Sequence, residues 1–311
     1  MKKFILGTRG SQLSISQTNW VISELKKKNP DCDYEIKTIL TKGDTDARPL
    51  FTIDQKGIFE KEIDKAVVNG EIDFAVHSLK DVPSILMDGL ILGCVPKREA
   101  VNDIFISKNN HTLQTIPANS IIGTSSLRRA VQVKRKRPDL DVRPIRGNVE
   151  SRIKKVQEGK FDGIILAQAG INRIGIDVNH SKLSILDFPP SPGQGALGII
   201  CRTDDKEIIT MLKTIEDYDS RIAVESERTL STFVESGCRF PVGAYAQVND
   251  SGMNLVVVAY SIDGKKSIIV QQNGSRTDPY GLGKSVAEEL IQKGVNELAV
   301  DWREKLGEWN K

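Results

Sequence analysis

The feature that most constrains the fold is the alternation of short apolar runs with stretches of helical periodicity. Phe4-Ile5-Leu6 reads as a strand. Ser11 to Lys28 reads as a helix, with Leu13, Ile15, Trp20, Val21 and Leu25 as candidate core positions, and Tyr34 to Leu40 alternates like a strand. A polar loop containing Gly and Pro runs from Thr41 to Lys56; Ile58 to Val68 is helical again and Ile72 to Val76 is a strand. This β-α-β-α-β order predicts a mainly parallel sheet with helices on both faces. The pattern restarts near Asp103. Ile104-Phe105-Ile106 and Ile121-Ile122-Gly123 read as strands, Ser125 to Arg137 as a helix, Asp141 to Ile145 as a strand, Val149 to Gln157 as a helix and Gly163 to Leu166 as a buried strand. Pro189-Pro190-Ser191-Pro192 closes this second α/β unit, because such a run continues neither a helix nor a central strand. Beyond Glu216 the order changes. A long helix from Ser220 to Glu235 precedes strands at Ala244–Val248, Leu255–Tyr260 and Ser267–Gln271 and a helix from about Tyr280 to Gln292. That order predicts a small α+β domain, and a length of 311 residues suits two or three domains.

Composition narrows the function classes. With 39% hydrophobic and 27% charged residues the chain can bury a sizeable core and is not of the disordered class. No apolar run approaches the roughly 18–20 residues of a membrane span. The start, Met1 to Arg9, holds too short an apolar stretch for a signal peptide, so a chain that is not exported is expected. Its 44 basic and 41 acidic residues balance too closely to argue for nucleic acid or an anionic membrane. Cysteines at 32, 94, 201 and 238 form no CxxC pair and suit a reducing, cytoplasmic setting. The three histidines, His77, His111 and His180, form no HExxH and no zinc-type cluster with cysteine, so no metal is expected.

Four segments concentrate groups able to do chemistry. Gly123-Thr124-Ser125-Ser126-Leu127-Arg128-Arg129 places a hydroxyl-rich turn between a strand and a helix, where free N–H groups and the helix dipole favour anions. Two arginines in that first turn oppose the dipole, and a bound anion would offset the cost. Arg143 to Asn148 ends another strand at Arg146 and opens a helix carrying Arg152. Arginine forks match carboxylates bidentately, so this set suits a substrate with several carboxylates; a solvated basic face is the alternative. Lys134-Arg135-Lys136-Arg137, by contrast, lies at a helix end where cations suit the dipole. His77-Ser78-Leu79-Lys80-Asp81-Val82-Pro83 follows a strand directly, as crevice residues do in α/β sheets. There Asp81 could bind a pyrrole-type N–H or shuttle a proton, or the segment could be a capped surface turn. Cys94 and Cys201 sit inside apolar strands, whereas Cys238 lies in a Gly/Pro loop beside Arg239, which favours a thiolate. Gly193-Gln194-Gly195-Ala196-Leu197-Gly198 spells GxGxxG, yet prolines precede it and a strand follows; a hinge suits it better than a dinucleotide site.

Seven segments in order, Thr8-Arg9-Gly10-Ser11, Lys56-Gly57-Ile58-Phe59, His77 to Pro83, Gly123 to Arg129, Arg146-Gly147-Asn148, Gly193 to Ala196 and Gly237-Cys238, together resemble the porphobilinogen deaminase (hydroxymethylbilane synthase) family. The resemblance implies three domains. Residues 1–96, completed by 196–215, and 100–190 would form two doubly wound lobes like those of a type II periplasmic binding protein, with a cleft between them. Residues 217–311 would form the α+β domain carrying Cys238. It implies a dipyrromethane cofactor, built from the substrate and held through a thioether at Cys238. The implied activity is that of a transferase in porphyrin and heme biosynthesis. It condenses four porphobilinogen molecules head to tail, with loss of ammonia, and releases hydroxymethylbilane by hydrolysis.

Residue roles follow from the same resemblance. Asp81, Lys80, Arg9 and Lys56 would be catalytic, with Asp81 stabilising positive charge on a ring nitrogen. Cys238, Asp81, Lys80, Thr124, Ser126, Arg128, Arg129 and Arg146 would hold the cofactor. Arg9, Gln17, Ser78, Arg146, Arg152 and Arg173 would bind substrate. The Thr41–Lys56 loop reads as a mobile lid. The resemblance departs at Thr52, at Asp54-Gln55 before Lys56, and at Arg239-Phe240 after Cys238. A monomer is expected, with a small-molecule partner, porphobilinogen, and no nucleic acid, membrane or metal. Two rivals are a two-lobed carboxylate-binding protein, which leaves Cys238 unexplained, and a nucleic-acid binder using Lys134–Arg137, which lacks interleaved aromatics.

Overall fold

The computed structural model describes residues 2–45, 60–234 and 241–299. Lys56, the greater part of the Thr41–Lys56 loop, and Cys238 lie outside the described residues. In chain order the elements are β1 (Lys2–Thr8), α1 (Gln12–Lys28), β2 (Cys32–Thr38), α2 (Lys42–Thr45), α3 (Lys61–Val68), β3 (Phe74–Ser78), β4 (Leu90–Cys94), β5 (Asp103–Ser107), β6 (Ile121–Gly123), α4 (Leu127–Lys136), β7 (Asp141–Arg143), α5 (Val149–Gln157), β8 (Gly163–Ala167), α6 (Gln168–Ile174), β9 (Ser181–Lys182), β10 (Leu197–Arg202), α7 (Lys206–Lys213), α8 (Tyr218–Val234), β11 (Val242–Asn249), β12 (Gly252–Tyr260), β13 (Ser267–Gly274), α9 (Pro279–Gln292) and α10 (Val295–Ala299). Within the described residues, one compact unit takes in 2–45, 60–100 and 193–221; the other takes in 101–192 and 222–299.

Two five-stranded sheets, ordered β2-β1-β3-β10-β4 and β7-β6-β8-β5-β9, and one three-stranded sheet, β11-β12-β13, organise the chain. The class is therefore α/β with a smaller α+β part. The five-stranded sheets are mainly parallel, as expected, with one reversed strand in each. In the first sheet β10 runs antiparallel to both β3 and β4; in the second, β5 runs antiparallel to both β8 and β9. The other strands of each sheet share one direction. β5 is the strand with which the chain enters the second unit and β10 the one with which it returns to the first, so no crossover helix within the sheet sets their direction. Hydrophobic periodicity marks a strand but not the direction in which it is laid down. The reversal has a structural consequence. Asp103 starts β5 opposite Ala167, where β8 ends, and Leu197 starts β10 opposite Ser78, where β3 ends.

Helices cover both faces of the second sheet, as alternate residues of its strands show. Phe105, Ile122 and Ile165 pack with Ala130 and Val133 of α4. Their neighbours Ile104, Ile106, Ile164 and Leu166 pack with Ile153 and Val156 of α5 and Ile171 of α6. In the first sheet Phe4, Leu6, Phe74 and Val76 pack with Val21 and Leu25 of α1. Leu13, Ile15 and Trp20 are only half-buried, and the buried stripe of α1 continues instead through the polar Gln17 and Thr18. Ser11 starts this helix by accepting the Ser14 amide on its hydroxyl at 3.2 Å. The antiparallel sheet buries Leu255, Val257 and Ala259 of β12 against Leu230 of α8 and Leu282, Val286 and Leu290 of α9. Asp278 accepts the Gly281 amide at 2.8 Å and Pro279 fills the first helical turn, so α9 begins sharply.

Cys94 and Cys201 are fully buried in the core of the first sheet. Burial pushes both thiols up, Cys201 to about 11 and Cys94 further, and the Glu216 carboxylate adds to the rise at Cys94. A raised thiol is nucleophilic only as pH climbs toward its pKa. Iodoacetamide at pH 8 should therefore leave both unlabelled in the folded chain and label both after denaturation, read by peptide mass. Labelling of either in the folded chain would contradict their burial.

Candidate functional site

In the first unit, β1 and β3 are parallel neighbours, so Arg9 just past β1 and Ser78 at the end of β3 belong to the same sheet edge. Such carboxyl edges carry the binding residues of α/β sheets. Thr8 closes β1 fully buried and donates its hydroxyl to the Ser14 carbonyl at 3.3 Å. Gln17, buried on α1, brackets the Ser78 hydroxyl: its Nε2 donates at 2.8 Å, and Ser78 donates to Oε1 at 3.2 Å. A single 3-10 turn, Leu79–Asp81, follows β3. Leu79 is buried and anchors the turn, while Lys80 and Asp81 are exposed. Val82 takes extended backbone before Pro83, so the turn cannot grow into a helix. His77, grouped with this segment in the sequence, lies inside β3, with Nε2 buried 3.3 Å from Oδ1 of Asp64.

In the second unit, β6 and β7 are parallel, and the Thr124 amide donates to the Arg143 carbonyl at 3.0 Å, one step past the strand ends. Thr124 is buried, and its hydroxyl accepts the Ser126 amide at 3.2 Å. Ser126 caps α4 through its own hydroxyl, which accepts from the Arg129 amide. Both hydroxyl oxygens act here as acceptors, so each O–H proton remains able to donate to a ligand oxygen. Ser125 ties this turn to the next segment through the Ile145 carbonyl.

The anion expected beside Arg128 and Arg129 is partly supplied by the chain itself. Asp103, fully buried, accepts from Nη2 of Arg128 at 2.9 Å and from Nη2 of Arg129 at 2.7 Å. Burial lowers the Arg128 guanidinium and Asp103 opposes that shift. Nη1 of Arg128 also donates to the Pro189 carbonyl at 2.7 Å and to Oε1 of Gln132 at 3.0 Å. Arg128 is thus turned toward the protein. Arg129 sends Nη1 toward the Ile165 carbonyl at 3.3 Å. Asp103 is not among the site residues that the sequence motifs point to. Its signal was an acidic residue heading the apolar run Ile104-Phe105-Ile106, since a carboxylate buried with such a strand must be paired.

Arg146 and Arg152 join this group across the β7–α5 connection. Gly147 has φ +116°, and a Cβ there would stand 2.0 Å from the Ser151 hydroxyl, so the tight bend needs glycine. Asn148 caps α5 by accepting the Ser151 amide at 2.9 Å, and Nε of Arg152 reaches back to the Gly147 carbonyl at 2.7 Å. Burial, followed by the charges of Arg129 and Arg146, lowers the Arg152 guanidinium to about 10. Arg152 thus feels the positive charge of both Arg129 and Arg146, a setting that suits a ligand with carboxylates. Arg173 stands in the last turn of α6, where a cation suits the helix dipole.

The basic run at the end of α4 is structural. Arg137 donates to the carbonyls of Leu113 and Ile116 at 2.8 and 2.9 Å and pairs with Asp139. Arg135 lies 5.5 Å from the centre of the Tyr260 ring and bonds the Gly264 carbonyl. Among the described residues no helix is long and apolar enough to cross a membrane, and no three His, Cys, Asp or Glu side chains are grouped to hold a metal ion.

Removing one partner of a buried ion pair costs about 3–5 kcal/mol, because the remaining charges stay buried without compensation. Asp103→Ala should lose stability of that order in urea unfolding. An unchanged midpoint would show that the two arginines are neutralised elsewhere.

Comparison with known proteins matches residues 4–210 to the model of the porphobilinogen deaminase dipyrromethane cofactor binding domain. Residues 221–292 match that of the porphobilinogen deaminase C-terminal domain. The chain is 64% identical over 309 residues to the probable porphobilinogen deaminase of Nitrosopumilus maritimus, covering 99% of each chain. It is 46% identical over 303 residues to the porphobilinogen deaminase of Halalkalibacterium halodurans, covering 96% of each. Identity to that of Desulforudis audaxviator is 42% over 300 residues, covering 96% of this chain and 97% of the relative.

Proposed function

This chain belongs to the porphobilinogen deaminase family, and we propose that its guanidinium group holds pyrrole carboxylates while the Lys80–Asp81 turn serves bond formation. The enzyme condenses porphobilinogen into the linear tetrapyrrole hydroxymethylbilane in tetrapyrrole biosynthesis, with ammonia as the leaving group, and its cofactor is dipyrromethane. When bound, the dipyrromethane supplies the pyrrole terminus from which the chain is extended. The residues fit such a group. Each pyrrole of the substrate carries an acetate and a propionate, which suit a site where Arg152 lies near Arg129 and Arg146. The turn that sets Thr124 and Ser126 beside the Asp103-held Arg129 is the observation that carries the site assignment.

In this reading Arg129, Arg146 and Arg152 bind carboxylates by charge and fork geometry, with Thr124 and Ser126 donating their hydroxyl protons. Arg128 contributes chiefly by holding Asp103 and Pro189, and so fixes the helix start from which Arg129 acts. Arg9, Arg173, Gln17 and Ser78 bind substrate; the Gln17 amide fixes the direction of the Ser78 hydroxyl. Lys80 neutralises a carboxylate. Asp81 stabilises the positive charge that develops on a pyrrole nitrogen as the carbon–carbon bond forms, and takes part in moving its proton. Cys238 is the proposed thioether anchor and Lys56 a further catalytic cation; their support is the family match. We further propose domains at 1–96 with 196–215, 100–190 and 217–311, supported by the three separate sheets. A monomer working in the cytoplasm completes the reading, supported by four dispersed cysteines and a balanced charge.

The purified enzyme should be heavier than its bare chain by a dipyrrole adduct, and the extra mass should vanish in Cys238→Ser. A wild-type mass equal to the bare polypeptide would reject the anchor. Asp81→Ala should lower kcat about 10²–10³-fold, the usual cost of losing one electrostatic stabiliser. Turnover at the wild-type rate would remove Asp81 from its role.

A further inference from the structure

The glycine run Gly193-Gln194-Gly195-Ala196-Leu197-Gly198, unsuited to a dinucleotide, lies against the turn that presents Lys80 and Asp81. The Leu79 amide donates to the Ala196 carbonyl at 3.0 Å. A Cβ on Gly198 would stand 2.6 Å from Cδ1 of Leu79. Gly193 comes closest to the backbone of the turn. It has φ +73°, and a Cβ there would stand 3.2 Å from the Lys80 nitrogen and 3.3 Å from the Leu79 carbonyl carbon. These neighbours are main chain, so they cannot swing aside as a side-chain tip does. Any side chain at 193 must displace the 3-10 turn by a few tenths of an ångström. We infer that Gly193 is a positioning residue: its bare backbone is the back wall that sets where Lys80 and Asp81 stand for bond formation. The inference rests on the reading of Asp81 as the group that stabilises ring charge.

The structure provides its own control. Gly70 has φ +72°, nearly the φ of Gly193, but a Cβ there would have no heavy atom within 4 Å. Alanine at 70 and at 193 therefore meet the same positive-φ penalty, and only at 193 is there a contact with the turn. Asparagine tolerates this left-handed backbone better than alanine while keeping the Cβ. Gly193→Asn thus retains the contact with less strain, and carries the test if Gly193→Ala folds poorly.

The experiment compares Gly193→Ala, Gly193→Asn, Gly70→Ala and Asp81→Ala, with primer loading checked by intact mass. A misplacement near 1 Å can cost about 10²-fold in rate, so a shift of tenths should lower kcat per primed molecule about tenfold in both Gly193 variants. KM should change less than kcat, since the carboxylate-binding arginines are untouched and only Lys80 moves with the turn. Amide exchange at Val82, whose N–H closes the turn on the Leu79 carbonyl at 3.1 Å, should accelerate in the same variants. Gly70→Ala should keep wild-type kcat and Val82 exchange. Gly193 variants that match Gly70→Ala in both readouts, while Asp81→Ala is impaired, overturn the inference alone. Recovery of kcat in Gly193→Asn would also overturn it, because strain rather than contact would then be the cause. Full turnover in Asp81→Ala instead removes the underlying reading.

Discussion

Guanidiniums in the first turn of a helix, buried and facing the positive end of its dipole, are tolerated only where anions meet them. Asp103 meets two at once, from a position with no solvent exposure. Arg152, near both Arg129 and Arg146, brings further positive charge to the same part of the unit. The start of α4, the approach of β5 to β8 and the position of the Pro189 carbonyl all meet at Arg128 and Arg129. Because the Ala244 amide donates to the neighbouring Pro190 carbonyl at 2.8 Å, β11, which follows the segment containing Cys238, is registered on the same support.

The elements with strong periodicity were legible in the sequence to within a few residues. The periodicity of Val149 to Gln157 matches the bounds of α5, and the apolar run Gly163 to Leu166 lacks only Ala167 of β8. The motifs that give polar residues to strand ends were legible as well, since Ser78 and Thr124 do stand where strands stop. What the pattern could not reveal depends on long-range placement. The directions of β5 and β10 follow from the path of the chain between units. Asp103 looked like an ordinary strand start because its partners lie 25 and 26 residues away. The buried stripe of α1 misled for a related reason: Gln17 is polar yet inside, because Ser78 of a distant strand satisfies its amide.

The two five-stranded sheets share one plan. Each has its reversed strand in the fourth place of the order, and each uses that strand to bring the residues around its start to the edge where the parallel strands end. In one unit those residues include a carboxylate that organises arginines; in the other they are glycines that brace a turn. The same topological device therefore serves charge placement in one sheet and shape in the other. Neither role calls for a long loop, so rigid elements hold both sets, as accurate preorganisation requires.

The burial of Cys94 and Cys201 has a meaning beyond packing. A protein that installs its own primer on sulfur, as proposed for Cys238, must survive repeated generation of a pyrrole electrophile near its own nucleophiles. Thiols whose ionisation is suppressed by an apolar interior are poor traps for that species. Burying Cys94 and Cys201 removes two thiols from competition with Cys238 and leaves half-buried Cys32 as the remaining described rival.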